Sequence, residues 1–103
     1  QVVPFPYVPS SAIVREYQQH MVEAGNKDFD FSSMEGFLAA KVLTEGLRRA
    51  GTKVLTRESL MTALEGLRDY NMGGFSVSYD AKNHEGSRYT DMTIIGRGGK
   101  FMR

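Results

Sequence analysis

"SSMEGFLAAKVLTEGLRRAG" (residues 32–51) is the best-patterned stretch of the chain, and its reading decides the fold. Ser32, with Glu35 three positions on, forms a capping box in which each side chain can satisfy the other residue's backbone N–H at a helix start. Met34, Phe37, Leu38, Val42, Leu43 and Leu47 recur at helical spacing and make a broad apolar face. Ala39, Ala40 and Gly46 keep part of that surface thin, so another backbone can approach closely. Arg48 and Arg49 fall in the last turn, where cations favour the helix dipole, and Gly51 stops the helix. The stretch holds no His, no Cys and no obvious nucleophile. It is architecture, and the chemistry has to lie at its edges.

The chain on either side follows the same logic. "QVVPF" (1–5) is β-branched and aromatic, and Pro4, Pro6 and Pro9 turn it into an extended connector; it predicts a short strand. Ser10 or Ser11 can cap a first helix whose apolar face carries Ile13, Val14, Tyr17, Met21 and Ala24 and which ends at Gly25. "NKDFDF" (26–31) is a polar connector with two aromatics. A third helix starts at the N-cap Thr56, presents Leu60, Met61, Leu64 and Leu67, and ends near Tyr70, before "NMGG". After Gly74 the period changes to two: Phe75, Val77 and Tyr79 alternate with Ser76 and Ser78. "DAKNHEGSR" (80–88) is a turn region, 89–95 is strand-like, "GRGG" (96–99) turns the chain and "KFMR" (100–103) closes on a short strand. The expectation is an α/β chain in the order β-α-α-α-β-β with a further terminal β.

Composition narrows the function classes. The chain has 103 residues, room for one domain with a modest core. Thirteen basic against twelve acidic residues leave a formal charge of +1, which gives no electrostatic reason to expect nucleic acid or an anionic membrane surface. The absence of Cys excludes disulfides and thiolate metal sites. No apolar run approaches the ~20 residues needed to span a bilayer. "QVVPFPYVPS" (1–10) lacks the basic and long apolar regions of a signal peptide. The chain opens on Gln rather than Met and is expected to be a piece of something longer.

Several residues suggest chemistry and lose it on inspection. "GRGGK" (96–100) lacks the spacing of a phosphate loop and has too few residues after it to form the helix such a loop needs; it reads as a β-turn. His20 and His84 show no metal-ligand spacing and read as solvated surface residues. Asp28, Asp30 and Glu35 cluster at a helix entry, where carboxylates serve the dipole and the cap. Ser10 and Ser11 have no His or Lys base at a recognisable spacing. Met21, Met34 and Met61 fall on core stripes. The residues support no enzyme, no metal site and no cofactor.

A resemblance lies in the order of these segments. "MEGFLAAKVLTEGLRRAG" followed by "LTRESLMTALEGLRDYNMGGFSVSYDAKNHEGSRYTDMTIIGRGGKF" resembles the C-terminal part of type I periplasmic solute-binding proteins, above all the branched-chain amino acid (Leu/Ile/Val) binding proteins of ABC transporters. "QVVPFPYVPSSAIVREYQQHM" resembles the segment in which such proteins return from one lobe to the other. Family members are two-lobed and much longer. The resemblance therefore implies a C-terminal fragment of a type I periplasmic-binding fold, with residues 1–9 as interlobe connector, 10–74 as helical lobe segment and 75–103 as terminal strands. It implies a periplasmic location, a permease partner and an amino acid or related organic acid held between two lobes. Phe31, Ser32, Ser33, Met34 and Glu35 are the cleft residues it implies, since a helix N-terminus offers free N–H groups to a carboxylate. A small α/β interaction module and an amide- or amino-acid-sensing regulator are the alternatives. A fragment would also keep apolar faces, around Phe37, Val42 and Leu60, and open strand edges at 1–5 and 75–79. Those predict a homodimer or a domain-swapped assembly.

Overall fold

A computed structural model of the chain describes residues 1–51 and 55–102. It has mixed helices and small sheets, as an α/β chain should. Among the described residues three helices come first: α1 (Ala12–Glu23), α2 (Phe31–Ala50) and α3 (Arg57–Glu65). Four short strands follow among those residues: β1 (Tyr70–Asn71), β2 (Ser76–Val77), β3 (Ile94–Ile95) and β4 (Phe101–Met102). β1 pairs antiparallel with β2, Tyr70 opposite Val77, and β3 pairs antiparallel with β4, Ile94 opposite Met102. Among the described residues no helix is long and apolar enough to cross a membrane.

Among the described residues no strand is assigned over the expected first one, 1–5. Pro4 and Pro6 have no N–H to give a ladder, and Gln1 makes a reciprocal, strand-like pair: its amino group reaches the Asp91 carbonyl at 2.7 Å while Asp91 N–H returns to the Gln1 carbonyl at 2.8 Å. Val3, Pro4, Phe5 and Pro6 are buried.

Ser11 is the N-cap residue of α1, in extended conformation, but its hydroxyl caps nothing. The Ile13 N–H is satisfied instead by the Gly73 carbonyl at 2.9 Å. Gly73 can make this approach because it has no side chain and takes φ of 103°; a Cβ there would lie 2.9 Å from the Ala12 Cβ. The "GG" turn thus clamps the start of α1 to the β1–β2 hairpin.

The capping box expected at Ser32 and Glu35 is also corrected. α2 starts two residues earlier, at Phe31, with Asp30 as N-cap: its side chain accepts from the Ser33 N–H at 2.7 Å. A carboxylate is a strong cap, and it leaves Ser32 inside the first turn. At α3 Thr56 is the N-cap as expected, and Ser59 completes the box with reciprocal bonds of 2.9 and 3.0 Å.

α3 ends at Glu65, not near Tyr70. Past that point the backbone serves other partners: the Leu67 carbonyl takes the Tyr79 N–H at 2.9 Å, and Asp69 turns into the left-handed region at φ 45°. The Arg68 guanidinium donates to the carbonyls of Glu65, Leu67 and Tyr79. Tyr70 is thereby freed to open β1. The strands expected over 75–79 and 89–95 shrink to β2 and β3. In the intervening loop, Asp80 Oδ1 takes the N–H groups of Lys82 and Asn83, and Asn83 Oδ1 takes that of Glu85, so side chains occupy donors that a ladder would need. "GRGG" does turn the chain, as a short 3-10 segment (Arg97–Gly99), into the expected last strand.

The core is built from Val3, Ile13, Val14, Tyr17, Met34, Leu38, Met72, Phe75 and Val77. Phe37 and Val42 pack against it, and Leu60 is half-buried, so the faces expected to be open there are largely covered. Gly46 is where α3 comes close, as the small-residue run predicted: a Cβ there would meet Leu64 Cδ2 at 2.5 Å and Leu60 Cδ1 at 3.3 Å. The uncovered apolar surface is elsewhere. Met92, Ile94 and Ile95 are 88%, 69% and 70% exposed on and beside the β3–β4 hairpin.

Candidate functional site

Tyr17 positions the start of α2. Its ring is buried in the core, and its hydroxyl reaches the N-cap, where it accepts from the Asp30 N–H at 3.1 Å and lies 2.6 Å from Ser33 Oγ. The Asp30 carboxyl is held below its ordinary pKa, first by the Ser33 N–H and then by the Ser33 hydroxyl. The helix entry is therefore anionic, with its side-chain geometry set from below by α1.

The five residues implied as cleft residues do not share one face. Successive residues rotate by about 100° around a helix axis, and 31–35 cover most of its circumference. Phe31 points into an aromatic cluster. Ser32 is exposed. Ser33 is committed to Tyr17 and Asp30. Met34 is fully buried in the core. Glu35 faces a different hollow of about 240 Å3, shared with Val2, Leu38 and Phe75.

The cluster around Phe31 adds residues that the pattern of the sequence did not single out. Phe31 meets Phe5 at 6.0 Å, Tyr7 at 5.8 Å and Phe101 at 5.3 Å between ring centroids, each edge-on. Tyr7 and Phe101 are near-parallel, 18° apart at 6.5 Å. Tyr7, Phe101, Lys100 and Gly99 line an open hollow of about 500 Å3. Burial, and after it the nearby Asp30 charge, pushes the Tyr7 hydroxyl's pKa up. The signal for Tyr7 was present as alternation: in "PFPY" Phe5 points inward, so Tyr7 two positions on shares its side of the segment. Nothing local marks Phe101, which is 70 residues from Phe31 in sequence.

This arrangement can hold a solute but has no obvious means to transform one. Ser33 Oγ is engaged by Tyr17 and Asp30 rather than by a base. His84 bonds to Glu65 at 2.8 Å, and His20 sits beside Glu16 and Glu23 at the surface. Among the described residues no group of three or more His, Asp or Glu side chains could hold a metal ion.

A family model described as periplasmic binding protein matches residues 1–100. The chain belongs to the periplasmic binding protein family. No curated protein and no solved structure gives a match. The family is one of solute-binding proteins of extracytoplasmic location, not of enzymes, and it fits a site made of rings and caps.

Proposed function

We propose that the chain is the C-terminal part of an extracytoplasmic substrate-binding protein of an ABC importer, which holds a branched-chain amino acid or related small organic acid between two lobes and presents it to a permease. The observation that carries this reading is the family match over residues 1–100. The shape supports it. A compact domain of about 100 residues has a radius of gyration of about 13 Å, whereas this chain has 15.5 Å and an uncovered apolar hairpin. A body of that form suits one wall of a clamshell. Phe31, Ser32 and Ser33 form the edge of this wall, with Met34 as its support and Glu35 on its flank. Closure of two lobes about a hinge turns solute binding into a surface that a permease can read.

The protein expressed from its complete reading frame should bind one of leucine, isoleucine, valine or a short organic acid at a single saturable site in calorimetry. Phe31→Ala should weaken that binding about tenfold, as loss of a buried ring contact does. The 103-residue chain alone should bind these solutes weakly, since one wall buries too little of a ligand. A complete protein that binds no amino or organic acid would overturn the reading.

A further inference from the structure

The hollow beside Phe31 has a chemical character of its own. Its walls are the rings of Tyr7 and Phe101, 38% and 37% exposed, with the half-buried Phe31 edge-on to both. Its volume of about 500 Å3 falls within the range of small-molecule sites. On its rim stands Lys100, whose ammonium has no hydrogen bond or ion pair among the described residues. Lys41, by contrast, is paired with Glu16, and Arg48 and Arg49 with Glu45. The rings are brought together from residues 7, 31 and 101, a convergence that needs the connector, α2 and β4 at once.

From this geometry we infer that the solute is an aromatic carboxylate, its ring packed against Tyr7 and Phe101, which Phe31 backs, and its carboxylate directed to Lys100. The inference rests on the solute-binding reading above and narrows its solute. Aromatic faces are best covered by another ring, offset or edge-on, as these rings already cover one another. The charges orient the ligand: Asp30 stands on the Tyr7 side and repels a carboxylate, so the acid end turns to Lys100. An aliphatic acid of the same charge would satisfy Lys100 and leave the rings of Tyr7 and Phe101 half-covered.

The test compares four probes on the 103-residue chain by NMR titration: 3-phenylpropanoate, phenylalanine, 4-methylpentanoate and the uncharged 3-phenylpropanamide. Both aromatic acids should shift the Tyr7, Phe31 and Phe101 ring signals and the Lys100 ε-methylene in a saturable way. 4-Methylpentanoate and the amide should each bind about threefold to tenfold more weakly. Tyr7→Leu and Lys100→Gln, both at exposed positions, should each lower affinity by a similar factor while leaving the circular dichroism unchanged. The stronger of phenylpropanoate and phenylalanine identifies a simple organic acid or an amino acid as the natural source. Equal binding of the aliphatic acid, shifts located away from these residues, or no saturable shift would overturn the inference. Calorimetry of the complete protein separates the two levels: preference for leucine over phenylalanine sinks the aromatic solute alone, and no binding of any solute sinks the solute-binding reading.

Discussion

The Tyr17 hydroxyl lies 2.6 Å from Ser33 Oγ, and this contact, across sixteen positions of sequence, locks α1 to the first turn of α2. It places a buried side chain of one helix directly beneath the edge of the other that faces the proposed solute. Tyr17→Phe keeps the ring and removes the hydroxyl. It leaves the Asp30 N–H without its acceptor, and the cost should be about 1–2 kcal/mol. Urea denaturation of the two proteins measures it; an unchanged midpoint would show that water replaces the hydroxyl at no cost.

The cap of α2 separates two neighbouring residues. Asp30→Ala should lower the melting temperature by about 4–8 °C, the effect of losing a good N-cap in a domain of this size. Ser32→Ala should leave it within about 2 °C, since Ser32 caps nothing. Thermal melts of both variants decide, and a larger effect at Ser32 would restore the box with Glu35.

Glu45 gives the fold an acid-sensitive joint. Its side chain is nearly buried and is bonded by Arg48 at 2.5 and 2.9 Å and by Arg49 at 2.6 Å. Those bonds, the Arg48 one first, pull its pKa from 4.5 to about 2 against the opposing effect of burial. A carboxyl with a depressed folded pKa stabilises the fold above its unfolded pKa and loses that contribution as pH falls toward the folded value. The native chain should therefore lose stability from about pH 4.5 down to about 2, and Glu45→Gln should flatten that part of the curve. Melting temperature against pH for both proteins is the measurement.

Gly73 should not tolerate a side chain. Gly73→Ala adds a Cβ 2.9 Å from the Ala12 Cβ and 3.1 Å from the Ile13 nitrogen, at φ 103°. Strain and collision together should cost about 2–4 kcal/mol. Gly25→Ala, with positive φ but open space, should cost only about 1–2 kcal/mol. Equal costs at the two sites would mean that the clamp between the glycine turn and α1 yields easily.

The exposed hairpin should drive association of the isolated chain. Met92, Ile94 and Ile95 form an exposed apolar edge, and the net charge of +1 adds little repulsion between copies. Light scattering over a concentration series should show a homodimer or a swapped assembly, and Ile94→Lys with Ile95→Thr should return it toward monomer. A monomer at all concentrations would favour a self-sufficient interaction module.

The sequence by itself determined the helices and the features that end them. Their apolar periodicity is local, so Ile13, Val14, Tyr17, Met34 and Leu38 could be placed in the core from spacing alone. The Thr56 cap and the turn at "GRGG" were equally legible, because a cap or a turn is satisfied within four residues. Only the tertiary structure decided the rest. Asp30 displaced Ser32 as cap with Tyr17 bonded beside it from another helix. Two-residue strands replaced longer ones because a ladder extends only as far as a partner does. Arg68, Asp69 and the Leu67 carbonyl ended α3 early by bonding to residues 78 and 79. The aromatic hollow joins residues 7, 99, 100 and 101, with Phe31 edge-on behind its rings. No local pattern encodes such a junction, since it exists only when the connector, a helix and the last strand meet.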